Sequence, residues 1–316
     1  MMTLDNNIKA IILVVIGMFV FSIQDALIKV ISDSVNIYVI YIVRSIIGLL
    51  AILIYCKLKH IKLIFKTHYP IITSLRVSGF FLGFSLYYFS LSKISLPEAV
   101  TLFFVSPFFV TIASKFLIGE KVGIYRWSLI FVGFIGVYLV LNPDFNDFNI
   151  YSLFPIFCAF FYAITVVIQK KTSDYDNLFT QIIHTYISAI IFSIIIYIVL
   201  KNLSFSSNQL TEYNFILMTW DIPNISSFFI LVIIGLTGVI GFFCIFGAYR
   251  IGSPSTIAPY EYSLIIWSIV LGYLIWNEYL SFKGFIGLFL ILLASFFTLY
   301  REYTLNVKIN TDKPLR

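Results

Sequence analysis

The chain has 316 residues, of which 60% are apolar and only 11% are charged, with a formal net charge of +6. In an average soluble domain about a quarter of the residues are charged, and single soluble cores stop growing near about 250–300 residues. The composition therefore excludes a soluble globular enzyme, a disordered chain and a disulfide-rich secreted protein, and it indicates a polytopic membrane protein.

The cysteines and the charge balance argue against disulfides, a metal site and a nucleic-acid partner. Cys56, Cys158 and Cys244 all lie in apolar runs without Cys-x-x-Cys spacing, which predicts small buried side chains rather than disulfides or metal ligands. Basic cytoplasmic loops account for the positive net charge. No nucleic-acid partner, no metal and no cofactor are predicted.

Ten apolar runs are long enough to cross the bilayer, since about 20 helical residues span its hydrocarbon core. In chain order the runs are 10–31, 36–56, 69–91, 97–118, 124–141, 150–169, 178–200, 226–249, 254–276 and 281–300. The first run carries Asp25 and Lys29 and leads directly into the second. It is therefore interpreted as a span and not as a cleavable signal peptide.

Basic residues in the loops predict the orientation of the spans. With the N-terminus inside, the outer loops hold only Lys29, Lys93, Lys201 and Lys283. The cytoplasmic segments then hold Lys9, Lys57, Lys59, Lys62, Lys66, Lys115, Lys121, Arg126, Lys170, Lys171, Arg250, Arg301, Lys308, Lys313 and Arg316. Both termini are therefore predicted to be cytoplasmic.

The chain also contains an internal repeat. The matched pairs are Lys29 with Lys170 and Asn36 with Asn177 at an offset of 141, Pro97 with Pro254 and Ser106 with Ser263 at 157, and Glu120 with Glu278 at 158. The 16-residue change of offset falls in one place, the long loop 201–225. Each repeat holds five spans, and an odd number inserts the second repeat upside down relative to the first.

The predicted fold class is therefore an all-α membrane protein with ten transmembrane helices in two inverted five-helix repeats. The first repeat covers 1–142, the second covers 143–300 with the longer outer loop 201–225, and 301–316 form a cytoplasmic tail. In secondary transporters of this architecture the substrate site lies at mid-depth between the repeats.

Several motifs resemble the EamA repeat of the drug/metabolite transporter superfamily. They are Phe-Val-Ser-Pro-Phe-Phe at 104–109, Ile-Gly-Glu-Lys at 118–121, Tyr-Arg-Trp at 125–127, Gly-Phe-Ile-Gly-Val at 133–137, and Asn-Pro at 142–143. Arg44 and Arg76 match arginines that are usual in the first copy. The second copy departs from the pattern, with Asn277 before Glu278 where glycine is usual, and Glu261-Tyr262 where an apolar residue and proline are typical.

The first two spans, including 21–29, are similar to the branch that contains bacterial S-adenosylmethionine and riboflavin carriers. This resemblance implies a multi-pass protein of a bacterial inner (plasma) membrane that carries a small metabolite. It is specific for the superfamily and does not identify the substrate.

Ionisable residues at membrane depth are costly and mark functional sites or buried pairs. Arg44 is the first candidate for a substrate contact, because its guanidinium suits a carboxylate or phosphate. The alternative is a structural ion pair with Asp25 or Glu261. Glu261, between Tyr260 and Tyr262, is predicted to bind an amine or carry a proton, and its alternative is also a buried structural pair.

The other candidates have competing structural interpretations. Asp25 is a coupling residue or the helical partner of Lys29, four residues on. Arg76 contacts substrate or extends toward the cytoplasm. His184 is a proton relay or a satisfied buried histidine.

Ser106 either lines the site or, with Pro107, marks a proline kink in the fourth span. Trp267 either lines the site or fills space between helices. Glu98 and Glu278 are interpreted as caps of helices.

These features predict a secondary active transporter of a small polar metabolite, zwitterionic or anionic, working by alternating access. Its partners are that substrate, the lipid bilayer and either protons or a counter-substrate, and the protein is a monomer or a homodimer. The alternatives are an exporter of drugs or waste metabolites and, remotely, a scaffold or an intramembrane enzyme. No phosphate-binding loop or nucleophile–base constellation is visible, so no enzymatic activity is predicted.

Overall fold

A computed structural model describes residues 4–61, 63–117, 124–141, 149–172, 175–220, 224–251 and 260–304. The described residues form α-helices and one 3-10 turn, Ile150–Ser152, with no β-strand among them. This agrees with the predicted all-α class.

The helices of the first half are α1 (Leu4–Ile31), α2 (Ile37–Leu58), α3 (Pro70–Leu91), α4 (Leu96–Phe103), α5 (Ser106–Leu117) and α6 (Ile124–Leu141). The second half contains α7 (Leu153–Thr172), α8 (Leu178–Lys201), the short α9 (Ser207–Glu212) and α10 (Asn214–Leu217), α11 (Ile225–Ile251), α12 (Ser263–Trp276) and α13 (Phe282–Thr304).

Within the described ranges, seven helical segments are long and apolar enough to cross a membrane. Three shorter apolar helices, Trp127–Val140, Ser263–Trp276 and Phe282–Ala294, coincide with three further predicted runs. Ten crossings with both termini in the cytoplasm stay a prediction. Pro254, the repeat partner of Pro97, lies outside the described residues.

The fourth predicted span differs from the expected single helix. The chain leaves helical geometry at Phe104 and Val105, so that α4 ends at Phe103 and α5 begins at Ser106. The physical reason is Pro107, which has no N–H to continue the hydrogen-bond ladder but fits the first turn of a new helix.

The loop 201–225 is partly helical, which the sequence analysis did not predict. Ser206 starts α9 with a capping box that it shares with Gln209. The Asn36 side chain caps α2 at the Tyr38 amide and also donates to the carbonyls of Ile216 and Met218. The long loop is therefore attached to the first loop of the chain.

Helix boundaries follow the repeat offsets found in the sequence. An offset of 141 residues carries the start of α2 at Ile37 onto the start of α8 at Leu178. An offset of 157 carries the start of α5 onto the start of α12. The matched residues Asn36 and Asn177 both accept a backbone hydrogen bond as N-caps, so the repeat reflects equivalent local structure.

Packing between the halves is reciprocal. Helix α1 packs on α11 while α3 packs on α7, which is the same pair of positions with the halves exchanged. Helix α2 packs on α8, and α6 packs on α13, so equivalent positions also meet each other. Two units related by a two-fold axis make contacts of this kind.

Side chains connect alternate loops, as expected for helices that cross a slab back and forth. At one end, Lys29 donates to the Ile94 carbonyl. At the other end, Thr67 donates to Asp176 at 2.5 Å, and the His68 amide donates to the same carboxylate at 3.2 Å. Lys29 also donates to Glu278 at 2.7 Å, so both ends carry contacts between the first and second halves.

We expect Gly287→Ala to lower the free energy of unfolding by about 1–3 kcal/mol, the usual cost of overpacking. A Cβ at Gly287 would collide with the backbone oxygen of Gly136, and a Cβ at Gly136 would lie 2.6 Å from the oxygen of Gly287. Thermal denaturation in detergent measures the effect. Gly247→Ala, where a Cβ meets only Leu13 at 3.9 Å, is the control, and an equal Tm for both variants would contradict the prediction.

Candidate functional site

The candidate site is built around Arg44, in the first half of α2. The residue is only 2% exposed, and its Nη1 donates to the Tyr88 hydroxyl at 3.0 Å. The guanidinium also lies over the rings of Tyr41 and Tyr88, at 5.1 and 5.7 Å from their centres. Its Nε is buried without a hydrogen-bond partner.

The structural alternative for Arg44 was an ion pair with Asp25 or Glu261. In the part of the chain that the structure describes, no carboxylate lies within ion-pairing distance of this guanidinium. Its positive charge is instead surrounded by tyrosine hydroxyls and rings. The arrangement leaves Arg44 able to receive an external anion.

Gln24 completes this polar group and was missed by the sequence analysis. The side chain is 1% exposed, and its Nε2 donates to the same Tyr88 hydroxyl at 3.0 Å, while its Oε1 has no partner. The only sequence signal was an amide inside an apolar run, next to Asp25. Tyr88 therefore joins α1, α2 and α3 at one oxygen atom.

The second half contributes Tyr186 from α8 and Gly238 from α11. A Cβ built on Gly238 would lie 3.1 Å from Gln24 Oε1, 3.5 Å from Arg44 Cδ and 3.5 Å from the Tyr186 hydroxyl. The Tyr186 hydroxyl is also buried without a partner. Residues from the first and the second half of the chain therefore lie around the same point beside Gly238.

Five rings form an aromatic cluster beside this point: Phe84, Tyr87, Tyr88, Phe103 and Tyr162. Tyr88 lies 5.8 Å from Phe84, and Phe103 lies 5.7 Å from Tyr87 and 5.3 Å from Tyr162, measured between ring centres. The cluster extends from Tyr88, which contacts Arg44, to Tyr162 in the second half of the chain. Such rings offer flat faces to an organic substrate or cation.

Both predicted carboxylates attach to this aromatic cluster. Tyr87 donates its hydroxyl proton to Asp25 at 2.9 Å, and Tyr162 donates to Glu261 at 3.2 Å. The carboxylates are 5% and 3% exposed. Arg44 and the two acids therefore border the same group of rings.

Lys29 does not pair with Asp25 as the helical spacing predicted. It contacts Glu278 at 2.7 Å, and the other oxygen of Glu278 accepts the Leu96 amide at 2.9 Å. Glu278 therefore caps α4 of the other repeat and not the helix that follows it. Ser95 caps α4 by accepting the Glu98 amide, and the Glu98 carboxylate accepts a hydrogen bond from Ser152.

Asn277 explains why glycine is usual before this glutamate. Its φ is 58°, in the left-handed region, where α12 ends. Glycine adopts this conformation without steric cost, and asparagine tolerates it better than most other residues. The substitution of asparagine for glycine therefore leaves the helix end intact.

Arg76 is held by protein groups. It is 1% exposed, and it donates from Nη1 to Thr185 at 3.3 Å and from Nη2 to the Gln181 carbonyl at 3.0 Å. It therefore joins α3 to α8. These contacts give it a structural role, and a substrate contact stays a prediction.

His184 lies near the loop between α2 and α3 rather than beside Arg44. Its Nε2 makes a 2.7 Å hydrogen bond with the Phe65 carbonyl, and its Nδ1 has no hydrogen-bond partner. The ring is half-buried. This contact holds an interhelical loop in place, and a role in proton transfer stays a prediction.

The remaining candidates are spread along the second half and α5. Trp267 packs on Phe19 with ring centres 4.8 Å apart, and Tyr262 packs on Phe104 at 4.9 Å. Tyr260 is 41% exposed, while the Ser106 hydroxyl is buried without a partner. Tyr262 follows Glu261 in the sequence, and its ring contacts Phe104 in the break between α4 and α5.

The described residues contain no group of three histidine, cysteine or acidic side chains arranged to hold a metal ion. The three cysteines are buried and free. The chemistry of the site is thus that of guanidinium, amide, carboxylate and aromatic groups.

The sequence profile of the EamA-like transporter family matches residues 8–142 and 149–300. The chain belongs to the EamA-like transporter family. The two matched segments correspond to the two repeats, so the resemblance to EamA domains is confirmed. Together with the apolar helices, this membership makes the protein a multi-pass protein of a bacterial inner membrane.

Relatives within this family carry different cargoes. The chain is 27% identical over 240 residues to a riboflavin transporter of Vibrio cholerae, covering 75% of this chain and 74% of that protein. It is 26% identical to an S-adenosylmethionine uptake transporter of Rickettsia bellii, covering 75% of each. A pseudopaline exporter of Pseudomonas aeruginosa is 25% identical, covering 88% of this chain and 91% of that protein.

A solved crystal structure shares the fold. The TM-score is 0.67 at 15% sequence identity, with 95% of this chain and 98% of that chain covered. The likeness extends over nearly the whole EamA-like chain, including both repeats.

Proposed function

We propose that the protein is a secondary active transporter of a small polar metabolite, zwitterionic or anionic, that works by alternating access. The observation that carries the proposal is Arg44, buried between the two halves with an unpartnered Nε. A buried cation without a carboxylate partner is costly unless a ligand provides the counter-charge. In the transport cycle the substrate provides it.

The surrounding groups support an organic substrate with more than one kind of polar group. Asp25 and Glu261 border the same aromatic cluster as Arg44, so the site holds both signs of charge. The rings give binding area without fixing a hydrogen-bond pattern. Relatives that are named for S-adenosylmethionine and riboflavin support an organic substrate with several polar groups.

Alternating access follows from the two halves. We propose that 1–142 and 143–300 are inverted repeats with cytoplasmic termini, which rearrange around the site between them. The reciprocal packing of α1 on α11 and of α3 on α7 supports this arrangement. The contacts between alternate loops at both ends would have to open one end at a time.

The direct test is flux in proteoliposomes that contain the purified protein. We expect saturable movement of at least one of S-adenosylmethionine, riboflavin and free amino acids, above the leak of protein-free vesicles. A flux that rises with a pH gradient indicates proton coupling, whereas one that requires substrate on both sides indicates exchange. Leak-level rates for every compound in both directions would contradict the proposal.

Export is the second candidate function, and the likeness to a pseudopaline exporter favours it. The same vesicles distinguish the two directions when the gradient of substrate is reversed. Faster movement from the cytoplasmic face would identify an exporter.

A further inference from the structure

Three segments of the chain meet at the end of the bundle where α1 ends and α4 begins. Lys29 donates to the Ile94 carbonyl and to Glu278 Oε1, both at 2.7 Å, and Glu278 Oε2 accepts the Leu96 amide at 2.9 Å. The ammonium and the carboxylate therefore bind each other and also bind the same turn, 94–96. We call this arrangement of Lys29, Glu278 and the turn 94–96 the clasp.

The backbone after α12 holds the carboxylate of the clasp in place. Asn277 ends the helix with a φ of 58°, and the Glu278 amide donates to the Gly272 carbonyl at 3.0 Å. Pro97 packs closely on the same helix end, because a Cβ on Gly272 would lie 2.8 Å from the proline ring. The end of α12, in the second half, is therefore packed on the start of α4, in the first half.

Each helix that meets in the clasp also reaches the candidate site. Lys29 lies four residues after Asp25 on α1, a rise of about 6 Å. Helix α4 runs from Leu96 to Phe103 of the aromatic cluster, a rise of about 10 Å. Helix α12 begins directly after Tyr262 and ends at the clasp. The clasp therefore lies over the aromatic cluster at one end of the bundle.

The ion pair of the clasp is only partly buried. The side chains of Lys29 and Glu278 are 11% and 23% exposed, whereas Arg44 is 2% exposed. When such a pair separates, water hydrates both charges, so the desolvation penalty of a charge left alone in a dry core is avoided. The pair therefore holds two elements together and is still able to break and form again.

We propose that the clasp is the gate of the site at this end, which the basic loops predict to be the outer end; the inference rests on the proposed transport function. With Lys29 and Glu278 in contact, the turn 94–96 and the end of α12 cover the aromatic cluster, and the gate is closed. When the two charges separate, α12 moves away from α1 and α4, and the site opens to that side. The gate thus lies on the boundary between the halves that rearrange in alternating access.

The first experiment measures access to the site and needs no substrate. In a chain whose three buried native cysteines are replaced by alanine, Phe103→Cys places one thiol in the aromatic cluster under the clasp. Intact cells that produce this protein are treated with a membrane-impermeant maleimide, and the labelled fraction is followed over time. We expect Glu278→Gln to speed the labelling about tenfold, the scale for losing a charge-assisted contact.

Two features make this comparison specific. Glu278→Gln keeps a side-chain acceptor for the Leu96 amide, so the variant loses the charge of the clasp and retains the contact with the turn 94–96. Glu212→Gln is the matched control, since Glu212 is an exposed carboxylate whose partner is Tyr151. It is expected to leave the labelling rate unchanged.

The second experiment locks the clasp. The thiols of Lys29→Cys/Glu278→Cys, which leaves no unpaired charge, are joined by a short bis-methanethiosulfonate that dithiothreitol cleaves. We expect the crosslinked protein to lose its flux in proteoliposomes and to recover it after reduction. The control Tyr151→Cys/Glu212→Cys joins two segments of the second half alone, so its flux is expected to persist after crosslinking.

Two results would overturn the gate: equal labelling rates in Glu278→Gln and its parent, or undiminished flux through a protein with a crosslinked clasp. The crosslinked variant decides the matter if Glu278→Gln does not fold. Leak-level flux for every compound would overturn the transport function, whereas equal labelling in a protein with saturable flux would overturn the gate alone, so the two failures are distinguishable.

Discussion

Replacing Arg44 with alanine is expected to reduce substrate flux per folded molecule by about a hundredfold or more, because a buried partner of a charged ligand is removed. Arg44→Lys keeps the charge but loses the planar fork that reaches Tyr88 and the substrate together. We therefore expect an intermediate loss of about tenfold for lysine. Initial rates in proteoliposomes, normalised to folded protein, measure both effects.

Arg76→Lys is the matched comparison, since Arg76 is equally buried but donates to Thr185 and the Gln181 carbonyl. It is expected to lower the Tm while leaving the Kd of the folded protein unchanged. Wild-type flux in Arg44→Ala would remove this arginine from the binding site.

Glu278→Ala is expected to lower the free energy of unfolding by about 3 kcal/mol, the scale for breaking a largely buried ion pair. Glu278 accepts both the Lys29 ammonium and the Leu96 amide. Lys29 is 11% exposed, so removal of the carboxylate leaves its charge poorly solvated. Chemical or thermal denaturation in detergent measures the change.

The double variant Lys29→Met/Glu278→Met tests the physical reason. We expect it to recover most of the lost stability, since no unpaired charge remains in it. Glu212→Ala, which removes an exposed partner of Tyr151, should cost no more than about 1 kcal/mol. Losses that simply add in the double variant would show that Lys29 and Glu278 do not stabilise each other.

Local signals in the sequence predicted local structure well. Asn36 and Asn177 cap their helices, and both belong to the repeat at an offset of 141. The break between α4 and α5 was visible only as Ser106-Pro107 inside an apolar run. A proline constrains its own backbone, so its effect is readable, but the predicted span was drawn across it.

Side-chain partners across the bundle were not readable. Gln24, Tyr88 and Tyr162 had no distinguishing pattern, because transmembrane helices are apolar on every face and their periodicity does not identify the inward side. Lys29 illustrates the difficulty: the favourable spacing to Asp25 was present, yet the residue contacts Glu278, 249 positions away along the chain. A carboxylate four residues away on the same helix is therefore not the partner of Lys29 when a carboxylate elsewhere in the chain lies closer to its ammonium group.

The scarcity of charge by itself determined that the chain is a membrane protein, and the EamA motifs and offsets determined its family and its two repeats. These features depend on composition and on neighbours in sequence. Only the tertiary structure decided which polar groups meet: Arg44 with Tyr88 and Gln24, near Tyr186 and Gly238 of the other half. That choice depends on how the two halves of the chain dock, because packing between helices sets which side chains share a buried space.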